Sequence, residues 1–457
     1  MNFTESTFLI FLGLTWLFSV ILKNNPSARE WFLVGCSLFV IASWGLYDCL
    51  IFIVITGLNY CALKFLCKGT PYRSKILLSA VILFNILALI FFKYRTFLGL
   101  NEKLFTSNSS IFSVGIPLAI SFYTFHLISL MIDLFSGRIN NISLKAYCFY
   151  LSFFPHVIAG PIIRAKYLVP QIGRVFSPYH GLAKGLHYFI TGFFLKVVLA
   201  DNIGIGIDDL WSTPLELSVG DRWVLAFLFY CQIYGDFAGY SLMAIGMASL
   251  LGYRFPPNFR GPMAALTLRN FWQRWHITLS QFLRDYIYIP LGGNRSSKSW
   301  ALCAVMTTML IAGLWHGPSW SFIVWGGIHG LGIIAERIIK KPVFRYATVN
   351  SLLSLLLTQL FVTVSWVFFR ITNLDEALHF AKRMFALDLS KNLFTKPYLL
   401  GLLIFAIPII IHNLIPLAIR KIKRSYIPGI LGIFTGMMLL ANICILTRKT
   451  VFIYFRF

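Results

Sequence analysis

Three histidines in one stretch, His276, His316 and His329, are the residues best placed by type and spacing to do chemistry. A neutral imidazole can take a proton from a hydroxyl as that hydroxyl attacks an activated carbonyl. The reaction also needs a donor for the developing oxyanion and routes for both partners. His316 sits in Leu314-Trp315-His316-Gly317-Pro318, where Gly and Pro predict a helix end that presents the ring. His276 lies 40 residues earlier, in Trp275-His276-Ile277-Thr278, and His329 lies 13 residues later. Each also has a plainer reading. A histidine at membrane depth more often makes a polar contact, and for His329 a helix–helix hydrogen bond is the stronger reading.

Other reaction types lack their signatures. The chain has no G-x-S-x-G elbow, no phosphate-binding glycine loop and no HExxH. Its histidines lack metal-ligand spacing, so no metal and no bound cofactor are expected. Asp236, within Gly235-Asp236-Phe237, is an intramembrane carboxylate and therefore a candidate functional group. His126 and Asp133, seven residues apart, share one helix face, and contacts with neighbouring polar groups are their expected role.

The elements that must hold these groups are apolar. Of 457 residues, 58% are hydrophobic and 12% charged, with mean hydropathy +0.75. A soluble domain carries about a quarter charged residues, so this chain needs lipid as solvent. Apolar runs at Thr7–Leu22, Trp31–Trp44, Leu46–Leu63, Ile76–Phe92 and Ile111–Phe135 are punctuated by short basic loops. Further runs are Tyr188–Leu199, Trp223–Gly252, Ala301–Leu314, Ser319–Ile334, Leu352–Phe369, Leu399–Ile411 and Pro428–Leu446. The sum is an all-α, polytopic integral membrane protein with about eleven spans. One domain, 1–457, is expected, its core motifs within 117–370. The N-terminus reads as a retained anchor.

Two regions depart from simple spans. In Tyr147–Ile163, Pro155, Gly160 and Pro161 predict a helix broken beside a cavity. In Tyr253–Ser299, seven cationic residues alternate with aromatics, and Phe271–Leu283 predicts a short amphipathic helix that is interfacial or re-entrant. The basic side of this region is placed in the cytoplasm, and the net charge of +24 follows the same loop-limited rule. That excludes nucleic acid as the explanation of the charge. The eight cysteines, without CxxC spacing, read as small buried hydrophobes.

The residues alone thus define a polytopic membrane protein with a buried histidine site, either enzyme or transporter. The order of motifs says more. PLAISFYTFHLISLMIDLFSG (Pro117–Gly137), FFPHVIAGPIIR (Phe153–Arg164) and DFAGYS (Asp236–Ser241) come first. FWQRWHITLSQFLRDYIYIPLGGNR (Phe271–Arg295), LWHGPSWSFIVWGGIHG (Leu314–Gly330), WVFFR (Trp366–Arg370) and a terminal FIYF before Arg456 follow. This series resembles the membrane-bound O-acyltransferase (MBOAT) superfamily, and within it the bacterial alginate O-acetylase branch. The chain departs from that branch at Leu242 and Met263, where Asp and Tyr are usual, and at His126, where Gln is expected; these bear on the acceptor.

The resemblance implies a MBOAT core with a central funnel reached from both faces. It makes His316 the catalytic histidine and His276 the second site residue, orienting the acyl carbonyl or stabilising charge. Asp236, Arg284, Asp285, Tyr286, Trp315 and His329 fall on the substrate or donor path. The implied reaction moves an acyl group, most simply acetyl, from a cytoplasmic thioester such as acetyl-CoA to a hydroxyl. The hydroxyl belongs to an extracellular polysaccharide, as in alginate or another exopolysaccharide, or to an extracytoplasmic partner that relays the group. The setting is a bacterial inner membrane, crossed many times. D-alanyl transfer to teichoic acid from a carrier protein is the nearest alternative reaction. A transporter of polysaccharide precursors and a structural subunit of a synthase are the non-enzymatic ones.

Overall fold

The computed structural model describes residues 3–66, 71–99, 115–139, 141–158, 160–179, 181–212, 216–339, 347–386, 393–418 and 435–442. The described residues form helices and contain no strand. In chain order the longer helices are α1 (Ser6–Ile21), α2 (Pro26–Ala42), α3 (Leu46–Leu66), α4 (Pro71–Leu89), α5 (Ile120–Phe135) and α6 (Leu144–Ser152). There follow α7 (Leu182–Phe193), α8 (Asp201–Ile207), α9 (Val219–Leu250), α10 (Leu268–Trp272) and α11 (Ile277–Leu283). The last are α12 (Lys298–His316), α13 (Trp320–Ile339), α14 (Ala347–Arg370), α15 (Leu374–Met384) and α16 (Tyr398–Ala418).

Among the described residues, seven segments are helical, long and apolar enough to cross a membrane: Leu46–Leu66, Ser74–Tyr94, Leu182–Trp211, Lys298–His316, Trp320–Ile339, Ser351–Arg370 and Tyr398–Ile415. Two shorter apolar helices, Ser6–Ile21 and Ile120–Phe135, fall on further expected runs. The expected span Pro428–Leu446 lies mostly outside the described residues, and the terminal FIYF lies wholly outside them. Large apolar side chains stay uncovered along the helices, as with Leu46 at 75% exposure. Water would penalise that surface by about 25 cal/mol per Å²; lipid does not.

Contacts divide the chain into two compact units. One comprises Met1–Phe189 with Met243–Pro256, the other Ile190–Leu242 with Pro257–Phe457. In the first unit the Tyr147–Ile163 stretch is broken as expected. Helix α6 stops at Ser152, a single turn follows at Phe154–Val157, and residues 160–164 are not helical. His126 is fully buried on α5, and its Nε2 accepts the Ile163 backbone N–H at 3.2 Å. The His156 ring packs edge-on against it, centroids 4.8 Å apart. Asp133 pairs with Arg138 at 2.9 Å. The buried Arg29 donates to the Tyr253 hydroxyl at 3.0 Å, and Glu30 pairs with Lys145 at 2.9 Å. These polar groups therefore meet partners, which is how charge survives in an apolar interior.

The second unit holds the three histidines. The Trp223–Gly252 run forms one helix, α9, continuous through Gly235 and Gly239. Its glycines serve close approach: a Cβ on Gly239 would stand 2.7 Å from the Gly192 carbonyl oxygen. The same device joins α12 to α13. A Cβ on Gly313 would meet the Phe322 carbonyl oxygen at 2.1 Å, and one on Gly326 the Met309 carbonyl oxygen at 2.2 Å. Backbone packs on backbone there, as small residues allow between apolar helices.

Candidate active site

His316 is the last residue of α12, and Gly317, in extended conformation, turns the chain towards α13. The ring is 4% exposed. It meets Trp325 of α13 and Phe369 of α14 edge-on, at centroid distances of 5.2 and 5.0 Å, and Trp315 at 4.9 Å. Trp325 and Trp366 continue the aromatic wall, 5.6 Å apart. Their indole N–H groups are buried without a partner among the described residues.

The expected single helix Phe271–Leu283 is two short helices, α10 and α11, because the chain breaks at His276. His276 has φ +41°, the left-handed region that costs a non-glycine residue roughly 1–3 kcal/mol. Asn258 holds it there. The Asn258 carbonyl oxygen accepts the Ile277 N–H at 2.9 Å, and its Oδ1 accepts the Thr278 N–H at 3.2 Å and the Thr278 hydroxyl at 2.9 Å. These are the orphan donors at the start of α11, capped by a residue distant in sequence. His276 is fully buried, with its ring 4.6 Å from that of Phe237 and 6.0 Å from that of Trp315. Burial pushes its pKa down to about 3, so the ring is neutral at ordinary pH.

Trp315 therefore stands against both His276 and His316. His329 lies one aromatic layer away, 4.9 Å from Trp325 and 5.3 Å from Trp272. Both of its nitrogens are engaged. Trp272 donates to Nδ1 at 3.3 Å, and Nε2 donates to Ser365 at 3.0 Å, whose own proton goes to the Val362 carbonyl. Asp236 forms an ion pair with Lys196 at 2.7 Å, and its neighbour Phe237 is the ring packed on His276.

A cavity of about 360 Å³ lies nearby, and none of the three histidines lines it. Trp272 and Ile277 line it, and so do Arg269, Arg284 and Arg337 with Gln273, Tyr288 and Asn294. Arg337 donates to the Tyr288 hydroxyl at 3.1 Å, which donates to Asn294 at 2.7 Å. Arg284 pairs with Asp285 at 2.6 Å on a π-turn, Arg284–Tyr288, and Tyr286 packs on Phe282 at 4.8 Å. Of these three path candidates, Arg284 is the one that lines the cavity.

Buried histidines at a helix end and a helix start thus lie in an all-helical apolar protein, near a cavity that three arginines line. The chain belongs to the MBOAT, membrane-bound O-acyltransferase, family, whose model matches residues 72–374. It is an O-acyltransferase. It is 33% identical over 396 residues to "Peptidoglycan O-acetyltransferase" of Helicobacter pylori, covering 80% of this chain and 75% of that one. It is 35% identical over 401 residues to "Probable alginate O-acetylase" of Pseudomonas aeruginosa, covering 84% and 75%. It is 29% identical over 303 residues to "Teichoic acid D-alanyltransferase" of Lacticaseibacillus rhamnosus, covering 57% and 73%.

Sequence reading passed over Asn258, whose only local signal is its place after Pro256-Pro257. It passed over His412 as well. The structure places His412 Nδ1 2.9 Å from the Tyr234 hydroxyl, and the Tyr234 ring 6.2 Å from that of Trp275. Neither contact has a period or a motif.

Proposed function

We propose that the chain transfers an acetyl group from cytoplasmic acetyl-CoA to a hydroxyl on the far side of a bacterial inner membrane. The acceptor is an extracellular polysaccharide or a partner protein that relays the group to one. His316 is the general base. It takes the hydroxyl proton as the oxygen attacks the acyl carbonyl; the tetrahedral oxyanion collapses, and the departing thiolate recovers that proton from the imidazolium. His276 assists by orienting the reacting groups.

The observation that carries this reading is Trp315 lying against two buried histidines. The three arginines of the nearby cavity suit the phosphates of a coenzyme A thioester. The two relatives with acetyl acceptors favour acetyl over D-alanyl. Donor entry from the cytoplasm and about eleven spans belong to the same reading.

The test is acetyl-CoA thiol release by purified protein in liposomes. His316→Ala should lower the rate about 10²–10⁴-fold with the fold intact. Wild-type turnover in the variant would remove His316 from the base role. No release by wild type, with release on adding an acylated carrier protein, would move the reading to a carrier-borne donor. Flux of polysaccharide precursors that follows membrane potential, without thiol release, would favour a transporter.

A further inference from the structure

The contacts of Asn258 fix more than a helix start. Its side-chain amide has an oxygen and a nitrogen whose places ordinarily need assignment from neighbours. Here a backbone settles them. The Thr278 N–H can only donate, so the atom 3.2 Å from it is the oxygen, Oδ1. The nitrogen, Nδ2, then donates to the Ser241 hydroxyl at 3.1 Å. His276 Nδ1 lies 3.1 Å from that same Oδ1. An amide oxygen only accepts, so His276 Nδ1 carries the proton. In the neutral ring, Nε2 is then a bare lone pair, fully buried and without a partner among the described residues.

We propose that Asn258 is a positioning residue for the transfer reaction: it locks His276 as the Nδ1–H tautomer, so that Nε2 meets the reactants as a hydrogen-bond acceptor. The inference rests on the acyl-transfer reading and narrows it. A neutral ring in this tautomer gives nothing to a developing oxyanion. It receives a hydrogen bond from a donor group of the acceptor substrate. His329 shows the contrasting case in the same unit, since its Nε2 carries the proton and both nitrogens are taken. A buried lone pair left open is costly in a finished structure and useful in a substrate site. The ring's aromatic contacts, Phe237 and Trp315, are uncharged and do not titrate.

The experiment is 15N NMR of histidine-labelled protein in lipid, with His276 assigned by its loss in His276→Gln. The expected spectrum has a pyrrole-type Nδ1 and a pyridine-type Nε2 for His276. A pyridine-type Nδ1 would overturn the proposal, whether or not the protein transfers acetyl. Inactivity with the expected tautomer would instead count against the acyl-transfer reading. Two variants add function. Asn258→Asp keeps the acceptor oxygen and adds charge, so activity should stay within about tenfold and the His276 titration should move to higher pH. Asn258→Leu should lower kcat about 10–100-fold, the usual scale for a supporting partner, with the thioester KM unchanged. An Asn258→Asp protein with an unmoved titration, or an Asn258→Leu protein with wild-type kcat, would also overturn it. If both variants fail to fold, the wild-type tautomer still decides.

Discussion

Lys196 and Asp236 are joined at 2.7 Å in the apolar interior of the second unit, each side chain 1% exposed. Asp201 closes on the same ammonium at 2.5 Å, which places two carboxylates around one cation. Lys196 lies in a π-turn, Phe194–Ala200, and Gly239 lets that segment approach α9, since a Cβ there would stand 3.0 Å from Lys196 Cβ. The pair thus sets the position of Phe237, and through it one wall of His276.

Removing the cation alone should be worse than removing it with a carboxylate. Lys196→Met leaves two buried carboxylates without it, and breaking such a pair typically costs about 3–5 kcal/mol. Lys196→Met combined with Asp201→Asn and Asp236→Asn should recover much of the loss. Thermal melting in detergent reads both. A single variant as stable as wild type would show that the triad contributes specificity and no stability.

The depressed pKa of His276 predicts acid sensitivity. Burial holds the folded ring down to about 3, against an ordinary imidazole value of about 6.5 in the unfolded chain. Between these values the unfolded chain binds the extra proton, so stability is full above about pH 6.5 and falls as pH drops towards 3. The slope for one such group is about 1.4 kcal/mol per pH unit. His276→Gln should flatten the melting temperature against pH in that window. An unchanged slope would mean that other groups dominate acid unfolding.

The α12–α13 contact predicts a sharp difference between adjacent glycines. A Cβ at Gly326 would stand 2.2 Å from a backbone oxygen, whereas one at Gly327 meets only a Leu310 methyl at 3.6 Å. Gly326→Ala should destabilise by about 1–3 kcal/mol and displace the helix end that presents His316. Gly327→Ala should be neutral or stabilising by up to about 1 kcal/mol. Thermal stability and thiol release of the two proteins test this; equal behaviour would mean that the helices can separate freely.

Apolar runs and punctuating charges made the helices legible, because membrane insertion depends on local composition. His316 was legible for a similar reason: a Gly-Pro pair after a histidine marks a helix end. The break at His276 was not. Phe271–Leu283 has a continuous amphipathic pattern, and the interruption comes from Asn258, which lies before that pattern begins. The role of the α9 glycines was not legible either: the missing side chains of Gly239 and Gly235 admit the backbone of Gly192 and Leu195. The cavity was least legible, since Arg269, Arg284 and Arg337 come from three separate elements.

That cavity makes a prediction about the donor. Arg337 reaches the Tyr288 hydroxyl at 3.1 Å and lies over its ring at 5.6 Å, so the guanidinium is oriented before any ligand arrives. A phosphate-bearing donor gains a charge-assisted hydrogen bond there, worth about 1.5–3 kcal/mol. Arg337→Ala should therefore raise the KM for acetyl-CoA about tenfold or more while kcat changes little. A short acetyl thioester without phosphates should not distinguish the variant from wild type. Added salt should shrink the difference for acetyl-CoA, because screening weakens the lost attraction in the wild type. Equal KM effects on both thioesters would mean that Arg337 shapes the cavity and does not contact phosphate.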